Sequence, residues 1–100
     1  MSRITLKANE FGRNEIKVNG RWVAYPDQIE TLKKVSAGRW EGTVSAGRWH
    51  KDADDKFVVV GGAAAGGYSN EWYVHCPLLY GDAWIPAKSG VQAIWLIENC

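Results

Sequence analysis

The chain opens on an alternation. Ile4, Leu6 and Ala8 are separated by Thr5 and Lys7, the period of two that sends apolar side chains to one face of a strand. Phe11-Gly12-Arg13-Asn14 reads as a turn. Residues 15–18 and 21–25 then flank Asn19-Gly20. Asn-Gly between two such runs predicts a tight hairpin, because both turn positions need a positive φ.

Beyond Pro26 the period changes. Asp27 has the chemistry of a helix N-cap, with Glu30 three residues on as its reciprocal partner. Ile29, Leu32 and Val35 follow at helical spacing, Lys33 and Lys34 sit where the dipole favours cations, and Gly38 is a plausible stop. The spacing predicts a short helix over residues 27–36. A second capping box, Ser89-Gly90-Val91-Gln92, introduces Val91, Ile94, Trp95 and Glu98 at i, i+3, i+4 and i+7. It predicts a helix over residues 89–98, with a buried strand as the rival. Trp22, Val23, Asp27, Ile29, Glu30, Leu32 and Val35 align with Trp84, Ile85, Ser89, Val91, Gln92, Ile94 and Ile97 at a constant offset of 62. This match implies a strand followed by a helix, twice.

Between these units the chain repeats itself. Val35-Ser36-Ala37-Gly38-Arg39-Trp40 recurs as Val44-Ser45-Ala46-Gly47-Arg48-Trp49. Nine residues are too few for a solenoid unit, so a duplicated turn and strand start fits better. Residues 50–56 read as a polar loop and 57–60 as a strand core. Residues 61–67 are rich in glycine and alanine. They are either a loop or a small-residue strand facing Trp72-Tyr73-Val74, with rings covering the glycine positions. Pro77 ends or interrupts that strand, and Gly81-Asp82 is a turn before Trp84-Ile85. The elements sum to an α+β domain over residues 1–100, a small antiparallel sheet with two short helices packed on one face. The alternative is a mostly-β barrel or sandwich.

Composition changes this picture at two points. Apolar residues are 46% and charged residues 23%, which excludes wholesale disorder. Six residues are Trp, several times ordinary usage. Net charge is only +1, but it is split. Residues 1–51 hold ten Lys/Arg and five Asp/Glu (+5), and residues 52–100 hold two and six (−4). Attraction to phosphate or to an acidic protein is therefore expected on one side only. Two cysteines, Cys76 and Cys100, are not the framework of a small secreted scaffold. The N-terminal alternation has no signal-like apolar run, and no stretch of about 18 apolar residues exists to span a membrane. A reduced, cytoplasmic setting and no membrane partner are expected.

Gly-Arg-Trp occurs three times, at 20–22, 38–40 and 47–49. The ordinary explanation is a turn glycine, then an outward Arg and an inward Trp at a strand start. The functional one uses both side chains, since Arg and Trp are the residues most enriched in binding hot spots. Arg21, Arg39, Trp40, Arg48, Trp49 and Lys51 are accordingly the candidate partner-binding residues. Trp22 and Trp84 precede capped segments at matched spacing and are expected in the core, with Trp95 on the C-terminal helix. Trp40 and Trp49 remain for the surface.

Catalytic and metal chemistry is poorly supported. Val58-Val59-Val60-Gly61-Gly62-Ala63 imitates a dinucleotide-binding turn, but Ala63 stands at the middle glycine position and no helix pattern follows. His50, Asp52, Asp54 and Asp55 lack the turn glycine and distal Glu of a calcium loop. His75-Cys76 has no second ligand pair. No cofactor and no metal are expected. The composite is a small non-enzymatic binding module that docks on a macromolecular partner, most simply a protein, in the manner of an inhibitor or regulator of phage or mobile-element type. One alternative is nucleic-acid binding through the basic N-terminal half. The other is a nucleotide-sized ligand at the glycine-rich segment.

Overall fold

A computed structural model describes residues 3–45, 55–61 and 71–98. Among them the chain is mostly β, with eight strands in two antiparallel sheets and two small helices. The first sheet has the order β1 (Ile4–Ala8), β2 (Asn14–Val18), β3 (Arg21–Ala24). The expected turn joins β2 to β3, with Asn19 at φ 54° and Gly20 at φ 83°. The β1–β2 turn is held by Asn9, whose Oδ1 accepts the N–H groups of Phe11 and Arg13 at 2.9 and 3.0 Å.

The second sheet is a five-stranded meander in chain order: β4 (Ile29–Ser36), β5 (Arg39–Val44), β6 (Lys56–Gly61), β7 (Trp72–His75) and β8 (Trp84–Ala87). Its first strand corrects the helix expected over 27–36. Gly38, at φ 70°, closes the two-residue β4–β5 hairpin instead of ending a helix. Thr31 and Val35, β-branched, are at home in the extended chain. The Thr31 and Thr43 hydroxyls meet across that hairpin at 2.8 Å. The strand–helix pattern therefore occurs once, not twice.

The first copy of the Val-Ser-Ala-Gly-Arg-Trp repeat is thus a hairpin turn and strand start. The second passes outside the described residues after Ser45. Of the glycine-rich stretch, Gly61 is described: it ends β6 opposite Trp72, whose ring would lie 2.5 Å from a Cβ placed there. A ring over a glycine is what the small-residue strand reading anticipates at this position. Residues 62–67 lie outside the described residues.

Two helices follow β7. The first, α1 (Pro77–Tyr80), is a single turn that the sequence reading missed, entered by Pro77 at the position where a missing N–H costs nothing. The second, α2 (Gly90–Glu98), is the expected C-terminal helix. Ser89 Oγ accepts the Gln92 N–H at 3.1 Å. Gln92 Oε1 reaches back one residue further than a capping box requires, to the Lys88 N–H at 2.6 Å. α2 lies against β7 and β8 and α1 against β6, and the Tyr80 hydroxyl donates to the Leu96 carbonyl between them.

One core joins all parts. It takes Ile4, Ile16, Val18 and Val23 from the first sheet, Trp40, Phe57, Val59, Trp72 and Val74 from the second, and Ala93, Ile94 and Ile97 from α2. Trp40 and Trp72 stack in it with centroids 5.6 Å apart. A polar clamp ties the end of α2 to the start of β4. Glu98, at the end of α2, accepts the N–H groups of Asp27, Gln28 and Ile29 at 2.8, 3.1 and 2.9 Å. No helix among the described residues is long and apolar enough to cross a membrane.

Candidate functional site

Alternation within the five-stranded sheet assigns each side chain to a face, and directly paired residues share one. Trp40, Phe57, Val59, Trp72 and Val74 are buried and mark the inner face. The outer face then follows from the register. One row crosses all five strands: Lys33, Glu41, Val58, His75 and Trp84. A second holds Arg39, Val60, Tyr73 and Pro86. A third holds Thr31, Thr43 and Lys56.

The aromatic part of this face lies toward β7 and β8. Trp84 is 46% exposed and stacks on the His75 ring at 4.8 Å between centroids. One indole face is spent on His75, and the ring is held in place by it. Polar and charged groups stand toward the other edge, on β4, β5 and β6. Arg39 pairs with Glu41 at 3.6 Å with both side chains near half exposure, so the bond is screened and weak. Lys33 is exposed opposite Glu41 on the edge strand. A depression of about 580 Å³ is lined in part by Lys33, Glu41, Lys56, Val58 and His75.

The residues anticipated from the sequence separate. Arg39 lies on the outer sheet face. Arg21 belongs to the other sheet and lines a cleft beside the start of α2. Trp40 is 0% exposed, which corrects its assignment to a contact surface: alternation on β5 turns it inward onto Trp72. Arg48, Trp49 and Lys51 lie outside the described residues. The expected core residues Trp22 and Trp84 are instead 53% and 46% exposed. For Trp22 the cause is a register shift beside Ile16 that lets both Val23 and Ala24 face inward. For Trp84 it is the inward phase of Ala87, which opposes Trp72. Tyr73, His75 and Trp84 were missed as surface residues. Their signal was present, because Trp72 and Val74 could not both turn inward without turning Tyr73 and His75 out.

Cys76 is buried at the N-cap of α1. Among the described residues no group of three His, Cys, Asp or Glu side chains stands close enough to hold a metal ion. Comparison of the chain with protein-family models, curated proteins and solved structures returns no match.

Proposed function

We propose that this chain is a non-enzymatic binding module that docks on a protein through the outer face of its five-stranded sheet. Inhibition or regulation of that partner would be its role. The observation that supports this reading is the composition of the face: the Trp84–His75 stack and Tyr73 on β7 and β8, and Lys33, Arg39, Glu41, Thr31 and Thr43 on β4 and β5 of the same face. Aromatic residues and Arg are enriched in protein interfaces, and Trp, Tyr and Arg dominate their binding energy. Trp84 arrives pre-ordered on His75, so little rotamer entropy is left to lose on docking. Lys33, Arg39 and Lys56 outweigh Glu41 in the three rows, and the partner surface that complements them is acidic.

The experiment is affinity capture from a host lysate with the wild-type chain and with an Arg39→Ala/Trp84→Ala variant, each with and without nuclease. A protein retained after nuclease by the wild type and lost by the folded variant supports the reading. A protein captured equally by both removes this face as its site. Captured material that disappears with nuclease points to nucleic acid instead.

A further inference from the structure

A second surface lies on other residues. The tip of the β2–β3 hairpin and the start of α2 border an open cleft of about 900 Å³. Gly90 lets the two approach: a Cβ there would meet Val18 and the Trp72 ring, each at 3.2 Å. Trp22 belongs to the hairpin wall and Trp95 to the helix wall, 53% and 37% exposed. Arg21 and Lys88, both exposed, line the same cleft, and among the described residues that line it there is no Asp or Glu. A third cation stands close by. Arg3 is tied to the hairpin tip, its N–H donating to Asn19 Oδ1 at 2.8 Å and its carbonyl accepting the Asn19 N–H at 2.7 Å, and its guanidinium lies beside Gly20.

We infer that this cleft binds a nucleoside phosphate unit, with the base on the indole rings and the phosphate met by Arg21 and Lys88. The two kinds of group select the ligand together. Indole faces exposed at such cost in apolar surface gain most from a flat ring, and base–aromatic stacking tolerates any base. Arg and Lys with no carboxylate among the described lining residues call for an anion, and phosphate suits the guanidinium fork. An acidic peptide would satisfy the cations without bringing a flat ring to the exposed indole faces. The orientation of α2 agrees in sign, since its positive end forms part of this wall. The same unit could arrive as a free nucleotide or within a single strand.

The test is a titration of the full chain followed through its tryptophan indole N–H signals in NMR spectra. The probes are ADP, adenosine, a ten-residue oligothymidylate and a glutamate-rich peptide. ADP or the oligonucleotide is expected to saturate, shifting the Trp22 and Trp95 signals and leaving that of buried Trp40 in place. Adenosine should bind about fivefold or more weaker than ADP, because it lacks the charge that Arg21 and Lys88 meet. An Arg21→Ala/Lys88→Ala variant, changed only at exposed positions, should weaken ADP about tenfold. Trp22→Leu should weaken it about fivefold or more while Trp22→Phe retains most binding. Tighter binding of the oligonucleotide assigns the source to a strand, and equal or tighter binding of ADP assigns it to a free nucleotide. No saturation by either at millimolar concentration, binding untouched by the double variant, or preference for the glutamate-rich peptide would overturn the proposal. None of these results depends on whether the sheet face binds a protein.

Discussion

Residues 27–36 and 89–98 carry the same spacing of cap and apolar positions, and one is the strand β4 while the other is the helix α2. In α2 Ala93, Ile94 and Ile97 are completely buried, while Val91 and Trp95 of the expected stripe stay exposed. In β4 it is mostly wasted, for Ile29 is buried, Leu32 is half-buried and Val35 is exposed. What β4 gains instead is a ladder with β5. The difference teaches that a helical stripe is a request for a partner surface. One copy finds it against β7 and β8, and the other is taken by a hairpin whose turn, Ala37-Gly38, lies just beyond it. Even the capping groups are shared out. The N–H groups of Asp27, Gln28 and Ile29, which would begin the first helix, are satisfied by the carboxylate that ends the second.

The comparison can be broken at several points. The largest effect is expected from Ile97→Ala, which leaves a cavity under α2 and should cost about 3–4 kcal/mol in urea unfolding. Loss below about 1 kcal/mol would mean that the stripe of α2 is no better used than that of β4. Glu98→Ala comes next, at about 2–3 kcal/mol, because three backbone donors lose a charged acceptor at once. Hydrogen exchange should rise at Asp27, Gln28 and Ile29 ahead of the remaining β4 amides, and unchanged protection there would dismiss the clamp. The two caps then separate the regions. Ser89→Ala should cost about 1 kcal/mol, whereas Asp27→Ala, whose carboxylate is exposed and caps no helix here, should stay within about 0.5 kcal/mol. Equal costs in thermal melts would contradict the assignment of β4. Val35→Ala is the smallest, also within about 0.5 kcal/mol. A loss near 2 kcal/mol would show that this Val is buried after all.

The tryptophans show a second limit of local pattern. Context along the chain put Trp22 and Trp84 inside and Trp40 outside, and each is reversed. In Arg21-Trp22-Val23-Ala24 and Trp84-Ile85-Pro86-Ala87 either phase of the alternation buries apolar groups. The phase was settled by neighbours: a register shift against β2, and the pairing of Ala87 with Trp72. Arg39 could be read as outward because charge has one strong preference. Trp84 could not be read at all, since an indole suits core and interface equally. The cleft at Arg21 and Lys88 joins residues 67 positions apart in sequence, and no spacing rule reaches that far.

By itself the sequence determined what local physics can decide: the Asn19-Gly20 hairpin, the strands at 4–8, 57–60 and 72–74, the Ser89 cap and the helix behind it. These depend on turn chemistry, β-branching and capping within a few residues. Tertiary structure decided the state of residues 27–36, the division into two sheets and the face on which each Trp lies. Those outcomes depend on which distant surface covers an apolar group and on which acceptor meets a backbone N–H. Such partners are supplied by residues far along the chain, as Glu98 supplies them for Asp27 and Trp72 for Trp40.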